Sequence, residues 1–456
     1  MKKLFGTDGM RGAAGTFPLD AATIETVGAS LANRLADKLG RPPLIVIGRD
    51  TRESGDWLEQ ALVAGLRQAG AESKSAGVIT TPGVAYLART LPADAGVVIS
   101  ASHNAYRDNG IKIFAPSGRK LDEETERLIE RDVYAQPKTD AARNISSSFT
   151  AAESDPGEAS GLRSRYADFL ANEIGRDLPL HGTRLVLDCA NGAASTLAPE
   201  LFERLGATVY TINNQPDGRN INLDCGSLHT EALQAEVVKQ QAKLGVAFDG
   251  DADRALFVTA DGDLVNGDGA MWVLAKYMHD RHELTHDTVV ATVMSNIGLE
   301  IALESEGISL IRADVGDKYV LEELLRSDTS LGGEQSGHII FPRTSLAGDG
   351  LITTLSLLRV MTETGKELHE LTAGFQAFPQ ILVNVAVKVK RPFAEIAAIR
   401  EAADSIESKL GSQGRLLLRY SGTEPLARVM IEGKNQTEIE EYAAILASVI
   451  QQTLAV

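Results

Sequence analysis

Short apolar segments alternate with segments of helical periodicity along most of the chain, and this alternation limits the possible folds more than any other feature. The apolar segments lie at 43–48, 95–100, 184–188, 244–248 and 288–294. Helix-like stretches follow or precede them at 56–68, 193–205, 229–241 and 297–306. Continuous apolar strands divided by helices are typical of parallel sheets covered on both faces. We therefore predict an α/β fold with mainly parallel, mixed sheets.

The 456 residues correspond to several domains at roughly 150 residues each. The Pro-, Ser- and Asp-rich stretch 136–160 predicts one boundary, and two further boundaries are expected near 255–260 and 370–378. Beyond the last boundary, strand-like and helix-like segments predict a smaller α+β unit, at 380–389, 393–408, 414–419, 426–431 and 437–451. The predicted domains are 1–155, 156–256, 257–372 and 373–456.

The chain is strongly acidic: 45 Lys and Arg residues against 62 Asp and Glu give a formal net charge of −17. A field of this sign repels polynucleotides and anionic membranes, so no nucleic-acid or membrane partner is expected. The two cysteines, Cys189 and Cys225, are too few for a disulfide framework and lack metal-ligand spacing. Because no signal-peptide core or run of about 18 apolar residues is present, we predict a cytoplasmic protein.

Three aspartates at alternate positions, Asp249, Asp251 and Asp253, follow the apolar segment 244–248 directly. Alternate side chains of extended backbone project to one side, and three such charges repel one another unless a hard cation lies between them. The segment therefore predicts a divalent-metal site. An EF-hand is excluded, because Arg and Ala stand where that loop needs Gly and Glu. A solvated acidic turn is the alternative.

Ser102 lies in the segment Ile99-Ser-Ala-Ser-His-Asn104, directly after an apolar strand. Small polar residues at the carboxyl end of a strand lie where ligands bind in open α/β folds, so Ser102 is a candidate nucleophile. A helix cap or a turn is the alternative for such a serine. The Gly-x-Ser-x-Gly pattern of hydrolases is not found around it.

Two further loops carry groups suited to a sugar phosphate. Arg419-Tyr-Ser-Gly-Thr-Glu424, with Arg428 close behind, combines guanidinium and hydroxyl groups that suit a phosphate dianion. Gly332-Gly-Glu-Gln-Ser-Gly-His338 combines donors and acceptors suited to polyol recognition. A turn with surface arginines and an ordinary polar turn are the respective alternatives.

His282-Glu-Leu-Thr-His286 matches the His-Glu-x-x-His pattern of zinc hydrolases. That pattern requires one continuous helix, whereas the strand-like segment at 288–293 begins two residues after His286. We predict that this match is not a zinc site.

Eight motifs, in order along the chain, resemble those of the α-D-phosphohexomutases. They are FGTDGMRG at 5–12, GRDTRESG at 48–55, ISASHN at 99–104 with DNGIK at 108–112, DCANGA at 188–193, DGDADR at 249–254, VGDKYV at 315–320, GGEQSGH at 332–338 and RYSGTEPLARVM at 419–430. Within the family, GGEQSGH and TVMSN at 292–296 resemble the bacterial branch that acts on glucosamine phosphates. Phosphomannomutase/phosphoglucomutase activity is the alternative.

The resemblance implies four domains around one cleft, with residue roles that we carry over as expectations. Ser102 would be the phosphoserine, and one Mg²⁺ would be held by Asp249, Asp251, Asp253 and a phosphoserine oxygen. The sugar would be bound by Glu334, Ser336 and His338, and the phosphate that is not transferred by Arg419, Ser421, Gly422, Thr423 and Arg428. Arg11 and Lys112 would lie beside the reacting phosphoryl group, and the candidates for general acid or base are Lys112, His338 and His103.

The resemblance also implies an isomerase that interconverts glucosamine 6-phosphate and glucosamine 1-phosphate through a 1,6-bisphosphate. Glucosamine or glucose 1,6-bisphosphate would serve as activator, and the expected partner is a small-molecule hexosamine phosphate. Whether the chain forms a homodimer is left open. The alternative from another class is a catalytically silent protein that binds a sugar phosphate or a metal. A phosphorylated species in the intact-mass spectrum would favour the enzyme over this alternative.

Overall fold

The computed structural model describes residues 3–136, 156–421 and 425–454. Within these ranges, four β-sheets follow one another along the chain, each with its own helices. None of the described helices is long and apolar enough to cross a membrane.

The first sheet has the strand order β1-β2-β6-β5-β3-β4, in which β5, β3 and β4 are parallel and the other neighbours antiparallel. Every residue of β5 is buried, as the continuous apolar run predicts. The elements are β1 (Phe5–Gly6), β2 (Gly9–Ala13), α1 (Ala21–Leu39), β3 (Leu44–Arg49), α2 (Gly55–Gln68), β4 (Glu72–Val78), α3 (Thr81–Thr90), β5 (Ala95–Ile99), β6 (Asp108–Phe114) and α4 (Glu123–Ala135).

The second sheet has the order β11-β10-β9-β7-β8, with β9, β7 and β8 parallel. Its elements are α5 (Pro156–Phe169), β7 (Arg184–Asp188), α6 (Ala194–Arg204), β8 (Thr208–Ile212), α7 (Glu231–Gln240), β9 (Leu244–Phe248), β10 (Ala255–Thr259) and β11 (Leu264–Val265). This sheet extends beyond the predicted division between residues 256 and 257, because β10 pairs with β9 over its whole length.

The third sheet has the order β13-β12-β14-β15, with β15 antiparallel to its neighbour. Its elements are α8 (Gly267–Asp280), β12 (Thr288–Thr292), α9 (Ile297–Ser305), β13 (Ser309–Ala313), α10 (Asp317–Arg326), β14 (Gly332–Gly333), β15 (Ile339–Ile340) and α11 (Gly350–Thr364). Since α8 ends at Asp280 and both His282 and His286 have positive φ values of 59° and 58°, the two histidines do not share a continuous helix. The zinc pattern therefore lacks the geometry that it requires.

The fourth unit is smaller, and its sheet, β16-β18-β17, is antiparallel throughout. The short helix α12 (Leu368–Leu371) ends the third unit. The elements of the fourth unit are β16 (Gln380–Ala386), α13 (Ala397–Leu410), β17 (Gly414–Tyr420), β18 (Leu426–Gly433) and α14 (Gln436–Leu454). Mixed α/β sheets followed by an α+β unit confirm the predicted fold class.

The apolar cores differ between the units. One cluster of buried side chains runs through the first three, and it includes Val98, Phe202 and Trp272. The fourth unit has a separate cluster, which includes Ile431 and Leu446. The first three units are therefore joined by shared apolar packing, whereas the buried apolar residues of the fourth unit form a cluster of their own.

Candidate active site

Ser102 lies three residues beyond the end of β5, in a loop at the edge of the first sheet. Its φ of 53° is in the left-handed region, which costs free energy for a residue other than glycine and is common at functional sites. The side chain is buried, and its Oγ lies 2.5 Å from Oδ2 of Asp249 and 3.3 Å from Nδ1 of His103. The structure therefore brings the predicted nucleophile to the predicted metal cluster.

Asp249, Asp251 and Asp253 follow β9 and are all buried, with one carboxylate oxygen of each within 4.8 Å of the others. Gly250 lets the two loops meet, since a Cβ atom there would lie only 2.5 Å from the carbonyl oxygen of Ser102. The predicted convergence of the three acids is thus a feature of the fold.

These residues fit a divalent cation. Oδ1 of Asp251 and Oδ1 of Asp253 are buried without a hydrogen-bond partner among the described residues. Burial, and then the charges of Asp253 and Asp251, raise the pKa of Asp249 well above its usual range. Three carboxylates beside a hydroxyl form an all-oxygen donor set, which hard cations such as Mg²⁺ prefer.

The ammonium group of Lys112, on β6, lies against the same acids. Its Nζ is 2.9 Å from Asp251, 3.3 Å from Asp253 and 3.1 Å from Asp8. Burial opposes the charge, but these three carboxylates outweigh it and raise the pKa of Lys112 well above its usual range. Lys112 is therefore a cation that can bind an anion, and its raised pKa makes it a poor group for proton transfer.

His103 has the opposite electrostatic environment. Burial, followed by the charges of Arg254 and Arg11, lowers the pKa of His103 to about 4. Nη1 of Arg254 lies 3.1 Å from Nδ1 of His103, so this ring nitrogen accepts a hydrogen bond and carries no proton. The imidazole beside Ser102 is thus neutral at neutral pH.

A cavity of about 440 Å³ opens in front of this cluster. Its wall includes Arg11, His103, Asp253, Glu334 and His338, which come from the first three units of the fold. It thereby joins residues predicted for phosphoryl transfer to residues predicted for sugar binding.

The predicted sugar-binding loop, residues 332–338, turns between β14 and β15. Oε1 of Glu334 accepts a hydrogen bond from the amide of Gly316 at 3.2 Å, and Oε2 accepts one from the Ser336 hydroxyl at 3.0 Å. In His338, Nε2 accepts a hydrogen bond from the amide of Gly348 at 3.2 Å, while Nδ1 lies 3.6 Å from Asp253. His338 therefore contacts the acidic cluster as well as the cavity.

The predicted phosphate site lies on the fourth unit. Arg419 on β17 and Arg428 on β18 are cross-strand partners, and Ser421 is buried just beyond β17. Gly422 and Thr423 lie outside the described residues. Arg419, Ser421 and Arg428 do not belong to the wall of the cavity in front of Ser102. Their role therefore stays a prediction.

Three residues that position the Ser102 loop escaped the sequence analysis. Arg52 is buried and donates hydrogen bonds to the carbonyl oxygens of Ser102 at 3.2 Å and Asn104 at 2.5 Å. Asn222 donates to the same two oxygens at 2.8 and 2.9 Å, and Asp50 forms a buried ion pair with Arg52 at 2.7 Å. Asp50 and Arg52 belong to the GRDTRESG motif at 48–55, which is the sequence feature that could have identified them.

A second missed group joins the first unit to the third. Lys120 lies 2.6 Å from both Asp8 and Asp317, and Asp8 also pairs with Arg11. Burial alone would raise the pKa of Asp8, but Lys112, Lys120 and Arg11 hold it well below its usual range. The charges around the cavity therefore form one connected network.

Comparison with known proteins identifies the family. Four domain families of phosphoglucomutase/phosphomannomutase match in order: alpha/beta/alpha domain I over residues 2–140, domain II over 164–262, domain III over 266–378 and the C-terminal domain over 382–449. A phosphoglucosamine mutase of Solibacter usitatus is 48% identical over 453 residues, which are 99% of each chain. One of Koribacter versatilis is 45% identical over 460 residues, covering 100% of this chain and 98% of the relative. The chain belongs to the phosphoglucosamine mutase family.

Solved structures share the fold of this phosphoglucosamine mutase family member. A phosphoglucomutase/phosphomannomutase family protein from Burkholderia thailandensis has a TM-score of 0.78 at 24% identity, covering 99% of this chain and 97% of that one. An N-acetylphosphoglucosamine mutase from Aspergillus fumigatus, in complex with GlcNAc-6P and magnesium, has a TM-score of 0.66 at 19% identity, covering 98% and 95%. These likenesses confirm the architecture.

Proposed function

We propose that the protein interconverts glucosamine 6-phosphate and glucosamine 1-phosphate through a phosphorylated Ser102. The observation that carries this proposal is the 2.5 Å contact between the Ser102 hydroxyl and Asp249, within a buried cluster of three aspartates. Full-length relatives at 43–48% identity are phosphoglucosamine mutases, which supports the choice of substrate.

The reaction consists of two transfers of a phosphoryl group. In the first, the bond between Ser102 Oγ and phosphorus breaks as the bond to O1 of the sugar forms, and the O1 proton goes to Oγ. In the second, after the bisphosphate turns over in the cavity, the 6-phosphoryl group returns to Oγ and the serine proton goes to O6. A structure of similar fold, the S69A variant of the Aspergillus fumigatus N-acetylphosphoglucosamine mutase, is a complex with glucose 1,6-bisphosphate, which supports such an intermediate.

Asp249, Asp251, Asp253 and Ser102 would hold the Mg²⁺ ion, which supplies neutralising charge to the phosphoryl group when it is bound. The magnesium complex of the Aspergillus fumigatus enzyme supports this choice of metal. Lys112 and Arg11 contribute fixed positive charge beside the transferred group, and Glu334 and Ser336 orient the sugar hydroxyls. Positioning and charge therefore provide most of the catalysis.

His103 is the residue that we propose for proton transfer at Ser102. Its Nδ1 lies 3.3 Å from Oγ and is held unprotonated by the hydrogen bond from Arg254. Lys112, which the sequence offered as first candidate, acts as a cation because three carboxylates surround it. The phosphate that is not transferred is assigned to Arg419, Ser421, Gly422, Thr423 and Arg428 of the fourth unit.

Replacing Ser102 by alanine tests the proposal. Ser102→Ala should abolish turnover of glucosamine 6-phosphate and remove a species about 80 Da heavier from the intact-mass spectrum, since the acceptor oxygen is gone. Ser117→Ala, an exposed serine of the same unit, is the matched control and should keep both. Wild-type turnover in Ser102→Ala would end the proposal.

A panel of glucosamine, glucose and mannose 6-phosphates, assayed with trace 1,6-bisphosphate, tests the substrate assignment. Preferential turnover of the glucosamine phosphate is expected, and preference for mannose or glucose phosphate would favour the phosphomannomutase/phosphoglucomutase alternative. The domain limits and the cytoplasmic location stay predictions, and the oligomeric state stays open.

A further inference from the structure

Asp268, at the start of α8, is a buried carboxylate that none of the proposed chemical steps uses. Its Oδ2 accepts hydrogen bonds from two different segments: the backbone amide of Asn296 at 2.9 Å and Nε2 of Gln335 at 3.2 Å. Gln335 belongs to the sugar-binding loop, and Asn296 precedes α9. One carboxylate thus connects two segments of the third unit.

Gln335 is turned away from the cavity. It does not line the cavity, unlike its neighbour Glu334, and its backbone carbonyl accepts a hydrogen bond from the amide of Gly267 at 2.9 Å. Both the main chain and the side chain of Gln335 are therefore held by the first turn of α8. This residue thus anchors the loop from which Glu334 and His338 line the cavity.

Asn296 holds the linker that leads to the fourth unit. Its Oδ1 accepts from the amide of Phe378 at 2.9 Å, and its Nδ2 donates to the carbonyl of the same residue at 2.9 Å. Close approach is possible because residue 298 is glycine: a Cβ there would lie 2.0 Å from the carbonyl oxygen of Gln376. The side-chain amide of Asn296 thereby binds both backbone polar groups of Phe378 in the linker.

The same turn contacts the sheet of the fourth unit. Arg415 on β17 donates to the carbonyl of Ser295 at 3.0 Å, and Glu432 on β18 accepts from the amide of Ile297 at 3.2 Å. Four residues further along these strands, about 13 Å away, lie Arg419 and Arg428. These hydrogen bonds therefore link the third unit to the two strands that carry those arginines, in a unit with a separate apolar core.

We infer that Gln335, Asp268 and Asn296 are positioning residues that set the spacing between the sugar-binding loop and the phosphate-binding strands of the fourth unit. The inference rests on the proposed function, in which a single substrate spans both. Such spacing matters because a misplacement of about 1 Å costs on the order of a hundredfold in rate.

A double-mutant cycle in the full-length protein tests the connection. Gln335→Leu removes the amide at similar size, and Asn296→Ser keeps a helix-capping oxygen while losing the contact with Phe378. Each change should lower kcat/KM for glucosamine 6-phosphate about tenfold, chiefly through KM, with the double variant retaining about fivefold more activity than the product of the two effects. The control is Gln240→Leu, whose amide binds Glu236 within α7 at 2.6 Å instead of Asp268. In the double variant, the fold-reduction in kcat/KM caused by the control substitution should multiply with that caused by Gln335→Leu.

Hydrogen exchange provides a readout that does not depend on activity. In Gln335→Leu, the amide of Phe378 should exchange faster than in the wild type, although the substitution lies on another loop. Unchanged exchange at the linker together with multiplicative kinetics for Gln335→Leu and Asn296→Ser would overturn the inference. Absence of mutase turnover in the wild type would instead refute the proposed function, while the exchange experiment would still test the connection.

Discussion

Arg52→Lys is the substitution for which the structure gives the sharpest expectation. The Arg52 side chain is buried and reaches four acceptors: Asp50 Oδ2 at 2.7 Å and the carbonyls of Asp108 at 2.7 Å, Ser102 at 3.2 Å and Asn104 at 2.5 Å. The planar guanidinium fork can bridge acceptors in several directions, whereas an ammonium group is a single point. Lysine keeps the charge beside Asp50 and loses part of the contact with the Ser102 loop.

The magnitude follows from the number of lost hydrogen bonds. Hydrogen bonds to charged groups contribute about 1.5–3 kcal/mol each, so losing two of the four destabilises the loop by about 3–6 kcal/mol before relaxation. Asn222 still binds two of the same carbonyls, which limits the displacement of the loop. A residual shift of about 1 Å at Ser102 then lowers kcat on the order of a hundredfold.

Steady-state kinetics and thermal melting measure the two effects separately. Arg219→Lys is the matched control. Arg219 lies in the loop next to Asn222 and makes an exposed ion pair with Glu53. That change should alter stability by less than about 0.5 kcal/mol and leave kcat unchanged. A folded Arg52→Lys variant with wild-type kcat would refute the argument that Arg52 positions Ser102.

Two further predictions concern the acidic groups. Asp251→Asn should weaken Mg²⁺ binding at least on the order of tenfold, because it removes a charge from the buried donor set; calorimetric titration giving wild-type affinity would contradict this. Burial raises the pKa of Asp349 to about 6, so between about pH 4 and 6 the folded state binds more protons than the unfolded state and stability falls as pH rises. As the pH rises from 4 to 7, the free energy of unfolding of Asp349→Asn should therefore increase by up to about 3 kcal/mol relative to that of the wild type. A difference in Tm between the two proteins that does not change with pH would count against this.

The elements of the sheets could be predicted because apolar runs and helix periods are local. The segment 244–248 predicted β9 with its observed limits, and 95–100 and 288–294 differ from β5 and β12 only at their ends. The convergence of Asp249, Asp251 and Asp253 was also predictable, because alternate spacing after a strand is a local geometric rule. The division near residue 256 was less predictable, because an antiparallel partner such as β10 adds no helix to mark it.

The partners of the predicted residues were not predictable, because they lie far apart along the chain. Thr81 Oγ1 donates to Asp251 across 170 positions at 2.5 Å, and Asn222 reaches Ser102 across 120 positions. A buried arginine such as Arg52 has the same sequence signature as an exposed one, since its burial depends on which loops close over it. Pairings of this kind follow from the arrangement of the domains and not from spacing.

The electrostatic balance of the cluster links phosphorylation of Ser102 to cation binding. Oγ lies 2.5 Å from Asp249, so a phosphoryl group carrying nearly two negative charges would face three buried carboxylates. Among the lysines that the structure describes, Lys112 contacts Asp251 and Asp253, and its ammonium group also pairs with Asp8. Repulsion would therefore disfavour the phosphorylated state unless further positive charge entered with it. A divalent cation matches the added charge, so we expect the phosphorylated protein to bind Mg²⁺ more tightly than the unphosphorylated protein in a calorimetric titration, and equal affinities would refute this linkage.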